Sequence, residues 1–276
     1  MKRDVYKFCG ECLVFTLAFA ILLGFVVACS DSDDKDFVGG ASGDAGVIAI
    51  TNKQIAGVAQ KGPFVKGSSV VLKETSAAGN LKPTGKEFFA TTRSDSGDFV
   101  IDDINLESQY VRLTATGYYK SEATGENSEC QVRLNALSDV SNRDRVNINV
   151  FTHLEYARVL KLIEKGMPFR EAKKQAHTDW LNAFDKKHLE EEFEDLDVNG
   201  SRPDDEALGQ LSLWIDNCAF NEFVPSDKRC TVGQNFVDAF ADSFAKSGKL
   251  PFDLNVKDFP KDAMRICDYT LSSYFE

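Results

Sequence analysis

The chain of 276 residues carries 43 acidic against 32 basic side chains, a net charge of −11, and seven cysteines. Its 43% apolar and 27% charged composition can bury a core, which excludes wholesale disorder. The acidity argues against nucleic acid as a partner and against electrostatic docking on anionic lipid, since both need a basic face.

The N-terminus reads as a targeting segment. Lys2, Arg3 and Lys7 precede an uncharged run, Leu13 to Val27, that is short for a membrane span and suited to a secretory leader. It ends in Val26-Val27-Ala28-Cys29. This resembles a bacterial lipobox, which implies a signal peptide over 1–28, cleavage before Cys29, and acylation of Cys29, with palmitate among the acyl groups. The other reading is an uncleaved signal anchor. Residues 29–46 are small, polar and acidic, and are expected to form a flexible tether. Ser30, rather than Asp, follows the lipid site, which in the enterobacterial sorting rule favours the outer membrane. The expected address is the outer membrane or cell surface, with contact to the membrane through the lipid.

Residues 47–150 are expected to be β. Short alternating stretches recur at Val47–Thr51, Ile55–Gln60, Ser69–Glu74, Phe88–Arg93, Phe99–Ile101, Tyr110–Thr116, Gln131–Leu134 and Val146–Val150. Turn clusters such as Asp95-Ser96-Gly97-Asp98 separate them. This spacing suggests an antiparallel β-sandwich. Within 55–118, Gly62-Pro63-Phe64-Val65-Lys66-Gly67, Asp95-Ser96-Gly97-Asp98-Phe99 and the Leu113, Ala115, Gly117, Tyr118 strand end resemble the transthyretin-like, carboxypeptidase-regulatory-type domain. That resemblance implies a small non-catalytic sandwich and lends no active site.

After Val150 the apolar period changes from two to about 3.6. Thr152 and Glu155 read as a capping box, with Thr152 as N-cap. Helices are expected from there to Gly166, and over Phe169–Phe184, Ala207–Ile215, Phe236–Phe244 and Ala263–Tyr274. Residues 151–276 would then be a small all-helical domain, and the chain an α+β multidomain protein. The order of β part, "NINVFTHLEYARVLKLI" and later helices also resembles a multi-copy lipoprotein family of fibre-degrading anaerobic Gram-negative bacteria. That resemblance implies location and architecture more than activity.

Four cysteines remain once Cys9 and Cys12 leave with the leader and Cys29 is acylated. An even count in an exported chain favours disulfides. Cys218–Cys230, bracketing a short loop, is the first expectation, which would leave Cys130–Cys267. The alternative is a set of reduced, buried thiols.

One segment fits a calcium loop, D-x-[DN]-x-[DN]-G-x5-E, from Asp195 to Glu206. Asp195, Asp197 and Asn199 would supply side-chain oxygens, Ser201 its carbonyl and Glu206 a bidentate closure, with Gly200 at the turn. A helix over Lys187–Glu194 would lead in. Arg202 and Pro203 depart from the pattern, and the plainer reading is an acidic loop capping a helix N-terminus. Calcium is the one cofactor this sequence suggests. His153, His177 and His188 lie apart and read as a capping turn and exposed faces. Glu190-Glu191-Glu192 with Glu194 reads as a solvated helix face.

No GxSxG, Walker-type loop or HExxH is present. The expectation is a non-catalytic binding, adhesion or structural module of the envelope, with polysaccharide or another envelope protein as partner. The alternative is a polysaccharide-acting enzyme or its accessory. Exposed aromatics on the β part would favour carbohydrate binding, and a cleft with two facing carboxylates would favour hydrolysis.

Overall fold

A computed structural model describes residues 46–76, 81–219 and 226–250. The leader, Cys29, the tether up to residue 45, Cys267 and the expected helix at 263–274 lie outside the described residues.

Six strands come first: β1 (Ile50–Val58), β2 (Ser69–Thr75), β3 (Pro83–Thr91), β4 (Asp98–Leu106), β5 (Tyr110–Gly117) and β6 (Val132–Asp139). They form two antiparallel sheets, β1-β4 and β3-β2-β5-β6. The alternation of side chains sets the register. Leu72 pairs with Leu113 and Leu113 with Ala136, while Val70 pairs with Ala115 and Ala115 with Leu134. All six are fully buried. They share one apolar cluster with Ile55, Phe99, Ile101 and Ile104 of the smaller sheet. Burying each of the larger ones, Val, Leu, Ile or Phe, contributes about 1.5–3 kcal/mol.

The expected strand at Val146–Val150 is not a full strand. Its first residues run parallel beside β1 through isolated bridges, with Val146 N donating to Ala56 O and Ile148 N to Val58 O. The Asp95–Asp98 turn forms as expected, and Gly97 sits at φ +79° against the Ala59 carbonyl. A Cβ there would lie 2.3 Å from that oxygen, which is why glycine is required.

Four helices follow: α1 (Val150–Glu164), α2 (Phe169–Ala183), α3 (Pro203–Ala219) and α4 (Ser226–Ser247). The N-cap of α1 is Asn149, not Thr152, and the capping box pairs these two residues. Phe151, Trp180, Phe184 and Phe193 then stack at centroid separations of 4.5 to 6.4 Å. The same apolar cluster runs from the sheets through these rings to α3 and α4. The sheets and helices therefore share one apolar cluster and fall within one compact unit.

The join is made along the free edge of β6. An edge strand presents unpaired backbone groups that must find partners if buried. Gln234 of α4 accepts from Arg133 N at 2.8 Å. His153 Nδ1 of α1 accepts from Asn135 N at 3.2 Å, and Lys173 Nζ of α2 donates to Leu137 O at 3.2 Å. Three helices thus each supply one side chain to one strand edge. The opposite edge, β3, is bare: among the described residues no strand continues the sheet beyond it. No described helix is long and apolar enough to cross a membrane.

Candidate binding groove and buried ionic clusters

The bare edge of β3 faces β4, which belongs to the other sheet. Between them lies a groove of about 600 Å³ lined by Glu87, Phe88, Phe89, Arg93, Ile101 and Asp102, among others. Alternation turns Phe88 toward the core and leaves Phe89 70% exposed. Polar groups line the same groove, and Lys73 and Gln54 pair with them from outside it. Lys73 pairs with Glu87 at 2.6 Å, Arg93 approaches Asp102 at 3.8 Å, and Gln54 Nε2 donates to Asp102 Oδ1 at 2.5 Å. A groove with an exposed ring, carboxylates and a guanidinium offers stacking and hydrogen bonds together. The apolar crevice beside Phe151 and Trp180, by contrast, holds only about 20 Å³.

Two ionic clusters are buried elsewhere. In the first, Lys173 Nζ donates to Glu155 and, at 2.7 Å, to Glu194 Oε1. All three side chains are almost fully buried. Burial pushes Glu155 up to about 8, against the pull of Lys173 and with the neighbouring Glu194 adding to the rise. Burial acts on Glu194 in the same direction, but Lys173 and Arg143 outweigh it and hold that carboxyl below its ordinary value. One proton and one ammonium therefore serve two carboxyls. Beside them, burial lowers His177 to about 4, and its ring stacks on Phe193 at 5.0 Å. Arg143 binds Glu192 and Asp195.

In the second cluster, Lys61 is fully buried, 2.9 Å from Glu122 Oε2 and 2.9 Å from Asp216 Oδ1 of α3. Asp216 also accepts from the Tyr119 hydroxyl at 2.6 Å and from the Ser121 hydroxyl. Burial works to raise Asp216, but Lys61 and the two hydroxyls hold it below the usual carboxylate range. Burial raises Glu122 despite Lys61.

Several expected site residues are placed otherwise. Asp195 is held bidentately by Arg143, at 3.0 and 3.2 Å. Asp197 Oδ1 accepts from Gln60 and from Asn199 N. Asp205, not Glu206, closes the loop: it accepts from Asp197 N and from the Arg202 backbone and guanidinium. Gly200 is needed because the Asp205 carboxylate lies where its Cβ would be, not because its φ is positive. Of the expected calcium ligands, Asp195 and Asp197 are thus engaged by Arg143, Gln60 and the Asn199 backbone. Among the described residues no group of three or more His, Cys, Asp or Glu is arranged to hold a metal.

The segment before this loop is irregular, with a 3-10 turn at Phe193–Asp195 instead of a helix over Lys187–Glu194. Glu194 is buried rather than on a solvated face. His153 is buried on the β6 edge, His177 is half-buried, and His188 is exposed as expected.

The disulfide pairing is Cys130–Cys230, at a Cα separation of 5.0 Å. This replaces both expected pairs, Cys218–Cys230 and Cys130–Cys267. Cys218 is itself disulfide-bonded, and the described residues contain no further cysteine to pair with it. The short 218–230 loop misled the expectation, because α4 carries Cys230 to Cys130, two residues before β6, instead.

No model of a known protein family, no curated protein and no solved structure matches this chain.

Proposed function

We propose that this chain is an envelope lipoprotein, held at the outer membrane or cell surface by acyl chains on Cys29. Its two sheets form a transthyretin-like sandwich that binds polysaccharide without catalysis. The observation that supports this reading is the groove between β3 and β4. Phe89 offers a flat apolar face to the C–H side of a sugar ring, and Glu87, Arg93 and Asp102 stand within reach of its hydroxyls.

The groove is tested by retention of the full chain on soluble and insoluble polysaccharides and by a glycan array. Phe89→Ala and Asp102→Ala are each expected to weaken retention about tenfold, as loss of a central contact does. A chain that binds no glycan, or variants that bind like the wild type, would overturn the reading. The anchor is tested separately: Cys29→Ser should abolish palmitate labelling and membrane fractionation.

A further inference from the structure

The second cluster has a composition that a plain ion pair does not need. Lys61 is fully buried, and its ammonium touches two carboxyl groups at once, Glu122 and Asp216, each at 2.9 Å. Its Nζ also lies 4.5 Å above the centre of the Tyr119 ring. The second oxygen of Glu122, Oε1, is buried with no hydrogen-bond partner among the described residues. Both oxygens of Asp216 are held, one by the Tyr119 hydroxyl and one by the Ser121 hydroxyl. The backbone fixes this approach. At Gly62 a Cβ would lie 1.8 Å from Lys120 O, so the chain at Lys61 is pressed directly against the segment carrying Tyr119, Ser121 and Glu122.

Buried ion pairs are costly to desolvate, and a third charged group in the same pocket adds to that cost. A reaction that turns the Lys61 ammonium and the Asp216 carboxylate into a neutral amide removes two of these three charges. We infer that Lys61 and Asp216 are built to condense into an isopeptide bond, with Glu122 carrying the proton.

The step balances without any co-reactant. Glu122 takes a proton from the Lys61 ammonium and leaves a neutral amine. The amine nitrogen attacks Cγ of Asp216, and the Tyr119 and Ser121 hydroxyls donate to the oxygens on which negative charge gathers. One of the two protons left on the nitrogen and the one on Glu122 pass to the departing oxygen, and the other stays as the amide N–H. The Cγ–O bond breaks, the Nζ–Cγ bond forms, and one water leaves. Nothing is oxidised or reduced. Groups held at such distances react with effective concentrations on the order of 10⁵–10⁸ M, which offsets the low reactivity of a carboxyl group. Burial of Glu122, which raises its affinity for a proton, suits it to the carrier's task.

The bond would tie the segment after β1 covalently to α3. The test is a tryptic peptide map of the full chain, purified, reduced and denatured. The expected result is a branched peptide, lighter than its two parts by one water, that joins Lys61 to Asp216, with no cleavage after Lys61. Glu122→Gln should yield the unlinked peptides while the unreduced chain still maps Cys130 to Cys230, which shows a folded protein. Complete cleavage after Lys61 in the wild type would overturn the inference. A bond from Lys61 to Glu122 would overturn the role given to Asp216, and full linkage in Glu122→Gln would overturn that of Glu122.

Discussion

Replacing Glu155 with Gln isolates the proton that the Lys173 cluster holds. In the folded chain this carboxyl is raised to about 8, chiefly by burial, from an ordinary value of 4.5. Between those two values the folded state keeps a proton that the unfolded state has released. The stability this group contributes is full below its unfolded value and is lost as pH rises through its folded value. The slope is about 1.4 kcal/mol per pH unit for one proton. From about pH 5.5 to pH 7.5 the wild type should therefore lose about 2–3 kcal/mol through Glu155 alone.

A Gln side chain copies the protonated carboxyl in shape and can still accept from Lys173, so Glu155→Gln removes that loss. His177, lowered to about 4, gives an opposing slope below its ordinary value of 6.5. It acts in both chains, so the difference between them is what is read. Glu194 is held low, and its contribution is lost only at more acid pH, below the window. The assay is urea unfolding of both chains at three pH values across the window. Parallel stability profiles would refute the reasoning, because they would mean that Glu155 is ionised in the folded protein at neutral pH.

Other consequences can be measured the same way. Cys130→Ser with Cys230→Ser opens a link between residues 100 apart and should lower unfolding stability by about 4–5 kcal/mol, with non-reducing peptide mapping as the direct check. Gly97→Ala forces a side chain into a φ of +79° and onto the Ala59 carbonyl, and should cost at least about 2 kcal/mol by chemical denaturation. Lys173→Met leaves Glu155 and Glu194 facing each other without their cation, and should cost about 3–5 kcal/mol by thermal or urea unfolding. Calcium should leave the melting temperature unchanged and give no heat by calorimetry, because Arg143 and Arg202 already hold Asp195 and Asp205. A calcium response lost in Asp195→Ala with Glu206→Ala would reverse that reading.

The strands were legible because their signal is local. Val70 and Leu72, or Leu113 and Ala115, alternate within a few residues, and the turn at Gly97 has its own chemistry. The start of α1 was misplaced by three residues because Val150 and Phe151 look like the end of a strand, and Thr152 caps from inside the helix rather than before it. Lys173 sits in a run, Glu171 to Lys174, that resembles a solvated helix face. Its burial depends on Glu155 and Glu194, which no spacing along α2 could announce. The Lys61 cluster gathers residues from three distant segments, so no window of sequence contains it. The groove was half legible: Phe89 falls within an expected strand, but its exposure depends on β3 and β4 belonging to different sheets.

The way the helices meet β6 bears on how the chain matures. Synthesis delivers the strands before α1, α2 and α4 exist, so for a time β6 is an adhesive ribbon with Arg133, Asn135 and Leu137 unpartnered. The later half of the polypeptide then acts as a built-in guard, supplying Gln234, His153 and Lys173 to that ribbon before another copy can. A chain halted after Asp139 should self-associate rather than remain a smaller soluble module.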